Sequence, residues 1–226
     1  MDWTHFFEEA FVVSLLAGAL RLSTPIILAA LGEVFAERSG VLNLGVEGVM
    51  LMGAFASFWG ASITGNAWLG LVIGMLAGAL MGLLMAFFSV TLRVDQVISG
   101  MGLYLLGVGM SSFLYRVAFG VRTTPPIIEG LNNISIPYLS DIPILGPILF
   151  QHDALVYIAL LLVPILGFVL SKTTLGLNIK AVGENPEAAD TLGVNVNAIR
   201  YLCVIFGSML GALGGAHISV AHLKIF

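Results

Sequence analysis

Six stretches of this chain are apolar for long enough to cross a lipid bilayer, and no other feature constrains its fold as much. A helix needs about 20 mainly apolar residues to span a hydrocarbon core about 30 Å thick. Runs of that length lie at residues 11–32, 41–60, 67–92, 97–115, 154–170 and 199–220. The first is interrupted by Arg21 and preceded by a polar-aromatic lead-in at 3–10. Bilayer-crossing strands would alternate polar and apolar residues over about ten positions, which these runs do not do. The sequence therefore predicts an all-α integral membrane protein, a polytopic bundle of about six transmembrane helices forming one domain over 1–226. Composition agrees. Hydrophobic residues make up 58% of the chain and charged ones only 10%, against about 25% charged in soluble domains.

Several function classes drop out. The net charge of −4 is spread thinly, with no basic stripe, so the expected partner is the lipid bilayer and not nucleic acid. With Cys203 as the single cysteine, no intramolecular disulfide can form. Histidines 5, 152, 217 and 222 lack the spacing of metal ligands, so no metal site is expected. No Gly-rich loop ending in Gly-Lys-Ser/Thr occurs, so the chain is expected to bind no cofactor or nucleotide itself. No nucleophile–base or paired-carboxylate arrangement is legible, and the expectation is that the chain is not an enzyme. The opening Met-Asp-Trp-Thr-His lacks the basic region of a cleavable signal, leaving the apolar spans to direct insertion.

Lysine and arginine set the expected orientation. Arg38, Arg93, Lys172, Lys180 and Arg200 collect on one side of the six spans, against Arg116, Arg122 and Lys224 on the other. The first group is expected inside, which puts the N-terminus outside. A connection at 116–152, carrying Pro125, Pro126, Pro137, Pro143 and Pro147, would then lie outside as an irregular or extended stretch with a short helix. A second, at 171–198, would lie inside.

Within the spans, Gly70, Gly74, Gly78 and Gly82 recur every four residues, as do Gly207, Gly211 and Gly215. That spacing keeps small residues on one helix face, where backbones can approach and dispersion replaces the missing hydrophobic drive. The segment from Gly32 to Gly48 is unusual in placing Glu33, Glu37, Arg38, Asn43 and Glu47 between two apolar spans. A carboxylate within a span costs about 2.5–3.5 kcal/mol on insertion scales, so such groups face the bundle interior or a cavity. Glu33, Glu37 and Arg38 read as a solvated turn, whereas Asn43 and Glu47, four apart, would share a helical face. Asp95 marks a helix start, with Gln96, Ser99 and Gly100 on one face. Asn43, Glu47, Gln96 and Ser99 are the candidate lining of a solute pathway.

The inside connection contains a short helix with both ends specified. Asn185 is a good N-cap, Pro186 suits the first helical position, Glu187 complements the positive helix end, and Gly193 suits the position after the C-cap. Two turns capped this well suit a lever docked in another protein.

Here a resemblance enters. The pattern Leu-Gly-x4-Ala-x-Gly-x-Asn-x2-Ala-Ala-x3-Gly-Val at Leu175–Val194 resembles the coupling segment of ATP-binding-cassette (ABC) importer permeases of the sugar and nucleoside branch. Glu37–Gly53 is similar to the early motif of the nucleoside and simple-sugar (ribose-type) subgroup. The resemblance implies a permease subunit forming the translocation pathway for nucleosides or simple sugars, in a bacterial or archaeal plasma membrane. It implies cytoplasmic ABC ATPase subunits that use the ATP, a second permease, homologous or identical, and an extracytoplasmic solute-binding protein. It also implies that Gly183, Glu184, Asn185, Pro186, Glu187, Ala188, Ala189 and Gly193 contact the ATPase. Members of that family continue for further membrane helices, so the chain resembles an N-terminal two-thirds. The alternative reading is an ion-coupled secondary transporter of small polar solutes, for which Glu47 is the relay candidate.

Overall fold

The computed structural model describes residues 9–120, 127–135 and 145–226. It is built from helices α1 (Glu9–Arg38), α2 (Val46–Thr64), α3 (Ala67–Ala86), α4 (Gln96–Phe119), α5 (Leu145–Leu149), α6 (Ala154–Lys172), α7 (Thr174–Glu184), α8 (Pro186–Thr191) and α9 (Val196–Ala216). A π-type turn extends α3 over Phe87–Thr91 and another extends α9 over His217–His222. Among the described residues, six helices are long and apolar enough to cross a membrane.

Most helix starts are written locally. Asn66, Asp95, Asp153 and Asn195 each offer a side-chain oxygen to the first free N–H groups of α3, α4, α6 and α9. Gly65, at φ +66°, ends α2 in the left-handed conformation open to glycine, so α2 and α3 form a tight antiparallel hairpin.

Helix α9 is the hub, packed between α1, α2 and α3, and nearly all of its C-terminal half is buried. Close approach is possible because the contact positions carry no side chain. A Cβ on Gly207 would strike the Gly32 carbonyl of α1, and one on Gly215 would strike the Met50 carbonyl of α2. Gly211 faces Val46 and Val49 more loosely. The α3 glycines divide between two neighbours, Gly70 and Gly74 against Ser57 of α2, Gly78 and Gly82 against Ser208 of α9. Helix α4 joins mainly through α2 and the residue before it, at Gly45, Gly48, Gly100 and Gly107, with lesser contact to α3. Outward faces of α1, α3, α4 and α6 carry large apolar side chains such as Ile26, Leu80, Leu105 and Phe168, all more than 60% exposed and suited to lipid.

The observed elements depart from the sequence expectation in four places. The first span continues through Glu33 and Glu37 to Arg38, which are helical and not a solvated turn. The second starts at Val46, so residues 41–45 are not helical and Asn43 shares no helical face with Glu47. The connection at 171–198 holds a second helix, α7, before the expected short one. At the opposite end, β1 (Asn133–Ser135) pairs antiparallel with β2 (Gln151–Asp153), next to the short α5. Pro125, Pro126, Pro137 and Pro143 lie outside the described residues, and Pro147 falls in α5.

Candidate functional site

At the end of the bundle that carries Arg38, Arg93 and Arg200, the chain leaves α1 and runs outside any helix from Ser39 to Gly45. Irregular backbone among apolar spans is tolerated only if its polar groups find partners inside the protein. They do. The Gly40 and Val41 N–H groups bond back to Glu37 and Ala36 (2.9 and 3.1 Å). The Leu42 N–H donates to Gln96 Oε1 (2.8 Å), Asn43 N–H to Glu33 Oε1 (2.8 Å), and Gly45 N–H to Asn43 Oδ1 (3.1 Å). In return Gln96 Nε2 donates to the Gly40 carbonyl (3.2 Å) and Arg200 Nε to the Ser39 carbonyl (3.2 Å). Residues from α1, α4 and α9 thus hold one irregular crossing point. Asn43 is buried and Gln96 half-buried in this work.

Ser99 is occupied differently, its hydroxyl donating to the Asp95 carbonyl of its own helix (2.9 Å). Glu47 stands apart from both. It lies on α2 at the edge of an apolar cavity of about 480 Å³, near Met50, Ala54, Ile218 and Ser219, and its carboxylate has no hydrogen bond or ion pair among the described residues.

The connection after α6 folds back onto this crossing point. Gly183, near the end of α7, sits so close that a Cβ there would strike the Arg38 carbonyl and come within 3.3 Å of the Gly40 N–H nitrogen. The two segments singled out in the sequence, 37–53 and 175–194, therefore touch. Helix α8 follows, with Asn185 Oδ1 accepting from the Ala188 N–H (3.0 Å) and Pro186 at its first turn. It ends in a Schellman motif: Val194 N–H donates to the Ala189 carbonyl and Gly193 N–H to the Asp190 carbonyl, with Gly193 at φ +84°. Ala189 is turned inward and buried, whereas Glu184, Glu187 and Ala188 are exposed. Leu192, 82% exposed at the C-cap, had no signal in the sequence beyond its place before Gly193. Between α8, the start of α9 and the loop before α4 opens a polar cleft of about 870 Å³ bordered by Arg93, Asp95, Gln96, Glu187, Asp190 and Arg200.

The other end of the bundle has a buried polar contact that sequence spacing could not reveal. His217 Nε2 lies 3.2 Å from Asp153 Oδ2, with both residues almost wholly buried. Burial pushes the Asp153 carboxyl up, but the hydrogen bond and charge of His217, with the N–H groups of Val156 and Leu155, hold it below its ordinary value. The pair ties the N-cap of α6 to the π-type turn of α9.

Residues 15–224, nearly the whole chain, match the family described as branched-chain amino acid transport system, permease component. The chain belongs to this permease family. Among curated relatives, it is 42% identical over 221 residues to a putative glucose ABC transporter permease of Haloferax volcanii, covering 96% of this chain and 66% of that one. A guanosine ABC transporter permease of Bacillus subtilis is 42% identical over 85% of this chain and 63% of its own length. A nucleoside ABC transporter permease of Lactococcus lactis is 41% identical over 89% of this chain and 66% of its own. The permease thus spans just under two thirds of the length of these relatives. No solved structure matches it significantly.

Proposed function

We propose that this permease is the membrane-spanning subunit of an ABC importer, lining the translocation pathway for nucleosides or simple sugars. The observation that carries the reading is α8. It is a short helix, capped at both ends and carried on α7, whose Gly183 lies against the irregular crossing point between α1 and α2. A push on α8 reaches the α1–α2 junction through Gly183 without passing through a flexible linker, which is the mechanical link a separate ATPase requires. Exposed Glu187, Ala188 and Leu192 form the face offered to cytoplasmic ABC ATPase subunits, while Asn185, Pro186 and Gly193 hold its shape. The names of the relatives support both substrate classes equally.

Glu47 is the residue we place on the pathway, because it is a carboxylate on an inner helix that borders a cavity and lacks a protein partner among the described residues. Asn43 and Gln96 support it indirectly by fixing the start of α2. ATP is used by the partner subunits. A second permease copy or homologue and an extracytoplasmic binding protein complete the assembly in a prokaryotic plasma membrane, with the Arg38 end inside and the N-terminus outside.

The test is uptake of labelled guanosine and labelled glucose by an uptake-deficient host expressing the complete transporter. Uptake of either should vanish when the ATPase subunit carries a catalytic-site substitution and persist in a protonophore. Uptake abolished by the protonophore and indifferent to the ATPase would replace this reading with ion-coupled transport.

A further inference from the structure

Arg21 lies in the middle of an apolar run, where a cation is costly unless something answers its charge. No described residue does: Arg21 has no hydrogen bond or ion pair among them. It borders a cavity of about 310 Å³ together with Asn132, Asn133, Asp153, His222 and Lys224. The carboxylate in that wall is already engaged, since Asp153 Oδ2 contacts His217 and Oδ1 accepts from the Leu155 N–H. Among the described residues the cavity therefore presents two permanent cations, an imidazole and two amides against one carboxylate that is already engaged. Lys224 is held in place by its own backbone, at φ +59°, with its carbonyl accepting from the Ile128 N–H and its stem packed over Gly130.

Depth identifies the ligand class. Along a helix rising 1.5 Å per residue, Arg21 stands about 26 Å from Arg38. With Arg38 at one interface of a core about 30 Å thick, Arg21 stands about 4 Å inside the opposite boundary, where its long side chain reaches the headgroups. Beside it on α1, Leu22 and Ile26 are 61% and 67% exposed and run toward the bilayer centre. A cationic, amide-lined pocket opening above an apolar helix face matches a phosphate group carrying acyl chains. We infer that the Arg21–His222–Lys224 cavity is a binding site for a phosphate oxyanion, supplied by an anionic phospholipid headgroup lying along the outer part of α1.

The test uses the purified full-length protein and native mass spectrometry, titrated with phosphatidylglycerol, with phosphatidylcholine and with inorganic phosphate. Two cations facing an anionic headgroup at the membrane surface should favour phosphatidylglycerol over phosphatidylcholine by about tenfold or more. R21Q/K224Q should abolish that preference, and R21K should retain it, which separates loss of charge from loss of folding. R116Q, on α4 outside the cavity, should leave it unchanged. Inorganic phosphate that binds and displaces phosphatidylglycerol would identify free phosphate as the source, and failure to do so would identify the lipid. Equal binding of the two lipids with no binding of phosphate, or a preference surviving in R21Q/K224Q, would overturn the site.

Discussion

Gly183 is where the lever meets the bundle, so the smallest change there should be costly. In Gly183→Ala the new methyl would lie against the Arg38 carbonyl, 3.0 Å from its carbon and 3.3 Å from the Gly40 nitrogen. Unstrained contacts sit at about 3.5–4.0 Å, so α7 must withdraw by roughly 1 Å or the Ser39–Val41 backbone must yield. Because that backbone is pinned by Arg200 and Gln96, neither movement is free. Overpacking of this kind costs about 1–3 kcal/mol, and in a chain of this size each kcal/mol moves the unfolding midpoint by about 2–4 °C. The expected loss is therefore about 2–12 °C. Cys203, fully buried and the single cysteine, supplies the readout, since a thiol-reactive dye reports its exposure on heating the detergent-solubilised protein. Gly167→Ala is the control: nothing lies within 4 Å of its Cβ, and alanine favours the helix by about 1 kcal/mol. A Gly183→Ala midpoint equal to that of wild type would refute the claim that α7 is keyed to the α1–α2 junction.

Further outcomes follow from the caps, the buried pair and the orientation. Asn185→Ala removes the acceptor for the Ala188 N–H and should weaken α8 by about 0.5–2 kcal/mol, read as faster amide exchange over Ala188–Thr191. Unchanged exchange would mean the cap is dispensable. Because Asp153 is held below its ordinary pKa, its contribution is fully present above the ordinary carboxylate range and is lost as pH falls below it. Asp153→Asn should therefore lower the midpoint at neutral pH, and the gap from wild type should close below about pH 4. A gap independent of pH would remove the carboxylate charge from the account. In a Cys203→Ser background, an impermeant thiol reagent added to intact cells should label Ile127→Cys, a position 80% exposed, and spare Thr191→Cys. The reverse pattern would invert the orientation.

The six spans were legible because a bilayer demands length and apolarity, and both are properties of composition over a window. The caps of α8 were legible for the same local reason: Asn185, Pro186 and Gly193 act on neighbours within three residues. The break before α2 was not. Residues 41–60 read as one continuous apolar run, and what holds 41–45 out of the helix is Glu33 and Gln96, ten and 54 residues away from the N–H groups they accept. The polar residues of that region were found, but their work on the backbone depends on contacts that spacing does not encode. Asp153 and His217, separated by 64 positions, left no trace for the same reason. Ala188 and Ala189 are indistinguishable in sequence, yet one is exposed and the other buried. Only the direction in which α8 lies on the bundle separates them.

That difference defines the most direct test of the coupling account. Ala188→Trp adds bulk to the exposed face of α8 without entering the chain's own core. With the complete transporter reconstituted in proteoliposomes, the measurement is ATP hydrolysis stimulated by solute-loaded binding protein, normalised to permease abundance in the membrane. The account predicts that Ala188→Trp keeps wild-type abundance and loses the stimulation. Wild-type stimulation in Ala188→Trp would contradict it and take α8 out of the coupling interface.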